Sequence, residues 1–139
     1  MKLHQETVRI ETRGKGLNDV TQKVARVVTA SGVRTGLCCL FVRHTSCSLV
    51  VQENADPAVQ RDLERWMDRI APEDAKAYEH DTEGADDMPA HLKSAVTKTS
   101  ETIPIAGASL VLGTWQAIYL WEHRSAGHRR EIVVHVMGE

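Results

Sequence analysis

The chain has 139 residues, 42% of them apolar and 26% charged, which suits one globular domain (residues 1–139) that needs neither disulfides nor a structural metal to complete its core. A net charge of −2 with no basic run argues against nucleic acid or an anionic membrane as partner. The opening Met-Lys-Leu-His-Gln-Glu lacks the apolar stretch of a secretion signal, and the longest apolar run, residues 35–42, is too short to span a bilayer, so a soluble cytoplasmic protein is expected.

Residues 3–12 place Val8 and Ile10 among polar neighbours and read as a half-exposed strand. Gly14 and Gly16 mark a turn, and Asp19 is placed to cap a helix carrying Val20, Val24, Val27 and Val28 on one face and ending at Gly32. Residues 35–44 read as a central strand, with Cys38, Leu40, Val42 and His44 on one face and Leu37, Cys39, Phe41 and Arg43 on the other. Residues 48–53 read as a further strand beside it. The three cysteines, Cys38, Cys39 and Cys47, are odd in number and have no metal-type spacing, so buried free thiols are expected.

Asp56 and Pro57 have the chemistry of an N-cap and a first helical residue. The helix they open carries Val59, Leu63, Trp66, Met67 and Ile70 on one stripe and stops at Pro72. Residues 73–87 read as a long polar loop, a kind that often serves function. Pro89 then opens a helix with the stripe Met88, Leu92, Ala95, Val96 and Thr99. Strands are expected at 101–105, at 109–122 with a break near Gly113, and at 129–137. Helices and strands followed by a β-rich end make this α+β, with a mixed, largely antiparallel sheet packed by helices.

Several polar residues fall at element ends. His44 leads into the hydroxyl-rich turn Thr45-Ser46-Cys47-Ser48, which can offer donors to an anion or simply close the strand. Asn54, Asp56 and Asp62 surround a helix start. His80 and His91 stand near Asp86 and Asp87, and imidazole with carboxylate suits a divalent ion. Glu122 continues the apolar face of Ile118 and Leu120, where a carboxylate must be paired, hydrogen-bonded, metal-bound or protonated. Arg124, Arg129 and Arg130 are near in sequence, so Glu122 reads either as half of an ion pair or as part of a phosphate-binding fork.

These stretches together resemble the YjbQ family. They are His44-Thr45-Ser46-Cys47-Ser48-Leu49, Glu53-Asn54-Ala55-Asp56-Pro57 with Asp62, Tyr78-Glu79-His80-Asp81, Asp86-Asp87-Met88-Pro89-Ala90-His91, Ile103-Pro104, and Leu112-Gly113-Thr114-Trp115-Gln116-Ala117-Ile118-Tyr119 leading to Glu122-His123-Arg124. They cover nearly the whole chain in order. Two positions depart from the pattern: Cys47 stands where the family commonly has Ala, and Ala117 where it commonly has Gly.

The resemblance implies a homotrimer with a pocket near a subunit interface. It also implies the activity named secondary thiamine-phosphate synthase, which joins a hydroxymethylpyrimidine diphosphate to a thiazole phosphate and releases diphosphate. The residues are assigned to that chemistry as follows. His44, His80 and His91 hold a divalent ion, zinc or magnesium. Glu122, Arg124, Asp62 and Asn54 carry catalysis. Thr45, Ser46, Ser48, Trp115 and Gln116 bind a small phosphorylated metabolite, with Trp115 or Tyr119 stacking on a heteroaromatic ring. A metal-dependent hydrolase, or a trimeric binder of a small anionic metabolite, would use the same set.

Overall fold

A computed structural model describes residues 1–139. The strands are β1 (Lys2–Glu11), β2 (Gly16–Asp19), β3 (Gly36–Val42), β4 (Cys47–Glu53), β5 (Ser100–Ala106), β6 (Ser109–Leu110), β7 (Gln116–Glu122) and β8 (Arg129–Gly138). The helices are α1 (Thr21–Ser31), α2 (Pro57–Ile70) and α3 (Asp87–Val96), with a short 3-10 turn at Ala75–Ala77.

Every strand pairing is antiparallel, and the strands form two sheets: β1-β8-β3-β5-β6 and β2-β7-β4. The α+β class holds, as single-domain α+β with curled antiparallel sheets rather than one mixed sheet. No strand is joined to a parallel neighbour by a helical crossover, so nothing imposes parallel pairing. The strand alternation works as the sequence suggests. Cys38, Leu40 and Val42 of β3 and Ile132, Val134 and Val136 of β8 point inward. From the facing sheet come Leu49, Ile118 and Leu120, and α1 adds Val24, Val27 and Val28, with Val20 just ahead of it, to the same core. α1 ends at Gly32, whose φ of 70° is a left-handed value that glycine adopts without cost.

Four expectations change. β4 does not lie beside β3: the turn at residues 43–46 carries the chain into the second sheet, where β4 pairs with β7. Leu49 can then face β3's buried side from across the core. Residues 16–19, read as part of a turn, form β2 on the other edge of β7. On α2 only Met67 of the expected stripe is fully buried, while Trp66 and Ile70 stay 47% and 45% exposed. On α3 the buried residues are Asp87, Pro89, Ala90, Lys93 and Ser94, and Val96 of the expected stripe is exposed. Polar contacts select that face of α3: Lys93 Nζ donates to Asp68 at 2.7 Å, and Ser94 Oγ donates to the Cys47 carbonyl at 3.2 Å.

The sides of β7 divide the labour. Ile118 and Leu120 enter the core, while Tyr119 and Trp121 face α2, where Gln60 donates to the Tyr119 hydroxyl and the Trp121 indole donates to Glu64. All three cysteines are free, and burial pushes the Cys38 and Cys47 thiols up to about 12. No helix is long and apolar enough to cross a membrane.

Candidate functional site

α3 begins at Asp87, and one helical turn later His91 stands above it with Nε2 3.2 Å from Asp87 Oδ2. His80 arrives from the preceding loop, its Nε2 2.7 Å from the same oxygen. The three candidate ligand atoms lie within 4.8 Å of one another, and the two imidazoles meet edge to face with centroids 5.4 Å apart. Asp87 is 2% exposed while both histidines reach the surface, so the cluster is rooted in the fold and open on one side.

Arg124 supports this cluster from behind. Its Nη1 lies 2.9 Å from Asp87 Oδ1, its Nε donates to Asp86 Oδ2 at 2.9 Å, and its Nη2 donates to the Glu83 carbonyl at 2.9 Å. Burial alone would raise the Asp87 carboxyl, but the His80 hydrogen bond and the charges of His91 and Arg124 outweigh it and hold the group below its ordinary value. Burial opposes ionisation of Asp86 too, and there the Arg124 and Ser125 hydrogen bonds win and bring it to about 2. Both acids are therefore carboxylates at neutral pH. Arg124 is engaged on all sides, so it orients acids and offers no free fork to a phosphate.

Glu122 is 0% exposed and fully partnered. Thr12 Oγ1 donates to Oε1 at 2.6 Å, Arg130 Nε donates to Oε1 at 2.8 Å, Arg130 Nη2 donates to Oε2, and the Arg124 N–H donates to Oε2 at 3.2 Å. Burial would raise its carboxyl, but the bonds from Arg130, Thr12 and the Arg124 N–H hold it low. Of the two readings open from sequence, the geometry is that of the ion pair. Glu122 and Arg124 do not share a pocket wall, because β7 ends at Glu122 and the Arg124 side chain turns to α3.

His44 lies elsewhere. Its Nε2 accepts the Glu131 N–H at 2.9 Å, so in the neutral ring the other nitrogen, Nδ1, carries the proton. Burial and the nearby Arg130 charge lower its pKa. His44, Arg43, Thr45, Ser46, Phe41 and Arg130 line a groove of about 470 Å³. Within one chain His44 does not join His80 and His91. The third group in reach of them is Asp87, because a carboxylate one helical turn before His91 is fixed by helix geometry.

The remaining expected residues scatter. Ser48 is buried and its hydroxyl meets His123 Nε2 at 2.8 Å, inside the fold rather than on the groove. Asp62 is 78% exposed on α2 with Arg65 3.9 Å away, and reaches neither cluster. Asn54 and Gln116 line a cleft near the start of α1, and Trp115 is 65% exposed beside it in sequence. Three features were given no assigned role in the expected site. Asp87 was legible as the i, i+4 partner of His91. Of the clamp on Glu122, Arg130 was near in sequence, while Thr12 had no local signal, being 110 residues away. The third, His123, is buried with Nδ1 lacking any partner.

Comparison with known proteins agrees with this architecture. Residues 6–139 match the family model described as UPF0047 protein YjbQ-like. The UPF0047 protein sll1880 of Synechocystis is 57% identical over 98% of this chain and 92% of its own. The UPF0047 protein YjbQ of Salmonella typhimurium is 42% identical over 98% and 99%. Among solved structures, a protein of unknown function from Sulfolobus solfataricus superposes with a TM-score of 0.90 at 25% identity, covering 99% of each chain. An uncharacterised protein from Clostridium acetobutylicum superposes with a TM-score of 0.84 at 32% identity, covering 96% and 98%. By sequence along nearly its whole length, and by fold, the chain belongs to the YjbQ-like UPF0047 family.

Proposed function

We propose that the chain is a divalent-metal-dependent enzyme acting on a small phosphorylated metabolite, with His80, Asp87 and His91 as its metal ligands. The observation that carries this reading is the convergence of two imidazoles on one buried, ionised carboxylate at the surface. Metal–nitrogen bonds of about 2 Å require donor atoms a few ångströms apart, and this donor set meets that requirement. Imidazole ligands favour zinc over magnesium, which prefers oxygen. Arg124 holds Asp87 in orientation from the other carboxylate oxygen, as supporting groups do at metal sites.

The particular reaction suggested by the family resemblance is the thiamine-phosphate synthase type. The thiazole nitrogen forms a bond to the pyrimidine methylene carbon as the carbon–oxygen bond to diphosphate breaks. A bound cation would supply charge stabilisation for the departing diphosphate. Phosphate oxygens of a substrate find donors in the groove beside His44, where the imidazole Nδ1–H, the Thr45 hydroxyl and Arg43 are exposed or half-exposed. We further propose self-association as a homotrimer, supported by the exposed Leu3, Leu37 and Phe41 on the outer face of the larger sheet.

Calorimetric titration with zinc tests the reading. We expect one site per chain, weakened tenfold or more by Asp87→Asn or His91→Ala. Absence of saturable binding to the wild-type chain would overturn it. With metal present, the pyrimidine diphosphate and thiazole phosphate together should yield thiamine phosphate. Phosphate release from either substrate alone would instead identify a hydrolase.

A further inference from the structure

The side of β7 that faces α2 carries Tyr119 and Trp121, and the His123 ring lies beside Trp121 with centroids 5.4 Å apart. Across from it, α2 presents Glu64 and, one turn later, Asp68, while α3 brings in Lys93. The contacts close on one another. The Trp121 indole donates to Glu64 Oε2 at 2.8 Å, Lys93 Nζ donates to Asp68 Oδ1 at 2.7 Å, and the Ser48 hydroxyl meets His123 Nε2 at 2.8 Å. Ser94, next to Lys93, donates to the carbonyl of Cys47, next to Ser48, so α3 and β4 are held together at the same place. Lys93 and His123 are each 0% exposed, and Trp121 and Ser48 are buried with them.

Three polar groups here have hydrogen-bonding capacity left over. Glu64 Oε1 and His123 Nδ1 are buried without a partner. Lys93 Nζ has three N–H donors and places one of them, on Asp68. Buried polar groups left unpaired are costly, and native folds pair them with protein or with internal water. The Lys93 charge reaches both unpaired atoms. Burial raises the Glu64 carboxyl against the pull of the Trp121 hydrogen bond and of Lys93, and burial, then Lys93, push His123 down to about 3. The ring is therefore neutral at pH 7. Ser48 can either donate to Nε2 or accept from it, so Nδ1 takes the complementary role.

The charges decide what can complete such a cluster. An added anion would lie against Glu64, an added cation against Lys93, and an apolar group would leave all three groups unpaired. A small neutral molecule that both donates and accepts suits all of them. We infer that a water molecule is bound between Glu64, Lys93 and His123 and ties α3 to α2 and β7. It donates to Glu64 Oε1, accepts from Lys93 Nζ, and donates to or accepts from His123 Nδ1 as the tautomer requires. Three partners is the usual number for a buried water. This gives the buried lysine a role on a helix whose apolar Val96 stays outside. α3 also carries Asp87 and His91, so the water steadies the helix on which that pair stands. Its three partners belong to neither the histidine cluster nor the His44 groove, and the inference is independent of the metal reading.

A high-resolution crystal structure of the full chain tests it first. We expect one water at hydrogen-bond distance, about 2.7–3.2 Å, from Glu64 Oε1, His123 Nδ1 and Lys93 Nζ. Glu64 bonded directly to His123, or no density between the three groups, would overturn it. Water-oxygen magnetic relaxation dispersion, which counts slowly exchanging internal waters, tests it in solution. The count should fall by one in Glu64→Met and in His123→Phe, which are apolar replacements of similar shape. It should match wild type in Glu64→Gln, which keeps a polar group toward the water. In both apolar variants the α3 amides should exchange with solvent tenfold or more faster than in Glu64→Gln, while those of α1 stay as in wild type. Glu64→Met keeps the Ser48–His123 contact and decides the matter if His123→Phe does not fold. An unchanged water count in Glu64→Met, or exchange that quickens equally in α1 and α3, would overturn the inference.

Discussion

Glu122 shows how one buried charge is made tolerable. Its two oxygens receive four hydrogen bonds, from Thr12, Arg130 and the Arg124 N–H. Removing its charge leaves Arg130, 4% exposed, without a counter-ion. We therefore expect Glu122→Gln to cost roughly 3–5 kcal/mol, measured by urea unfolding, with any activity of the folded fraction retained. A variant that keeps its stability but loses turnover would return Glu122 to catalysis. His123 gives a pH signature. Burial first, then the nearby Lys93 charge, lowers it from 6.5 to about 3. Between those values the unfolded chain binds a proton that the folded chain refuses, so stability falls as pH drops through that window. From pH 7 to pH 5 this one residue should remove about 2 kcal/mol. His123→Asn should flatten that part of the profile, and equal slopes in both proteins would contradict the assignment.

At the scale of elements, local chemistry predicts best where it is self-contained. α2 starts where Asp56 and Pro57 say it does: the Asp56 carboxylate accepts the Ala58 N–H at 2.9 Å. Asp56→Ala should cost about 1 kcal/mol in thermal unfolding, and no measurable change would mean the helix start is held by packing instead. α3 shows the opposite case. Its apolar residues Met88, Leu92 and Val96 suggested one buried face, yet the buried face carries Asp87, Lys93 and Ser94. Apolar periodicity finds a face only when the neighbouring surface is apolar. Here the neighbours are Asp68, the Cys47 carbonyl and Arg124, which lie far away in sequence. That same face delivers Asp87 to His80 and His91.

At the scale of the molecule, the larger sheet leaves apolar side chains on its outer face. Leu37 of β3 and Leu3 of β1 both oppose Met137 of β8, and Phe41 opposes Val133. Leu3 is 67% exposed and Phe41 49%. Exposed apolar groups in one register suit burial against further copies of the chain. We expect light scattering to report three times the 15.5 kDa chain mass, and Phe41→Glu to lower it. A monomer at micromolar concentration would contradict the trimer.

The sequence by itself determined the α+β class, the helices and the strands other than β2 within a few residues, the cap of α2, the end of α1 at Gly32 and the kinship with the YjbQ-like family. These depend on neighbours a few positions apart, where propensity and periodicity act. Only the tertiary structure decided that β4 crosses to a second sheet, that Glu122 closes on Arg130 and Thr12, that His44 binds the Glu131 N–H apart from His80 and His91, and that Asp87 completes their cluster. Those outcomes depend on which of several polar partners a side chain meets. A buried charge will take any partner that satisfies it, so the choice rests with the packing of segments up to 110 residues apart.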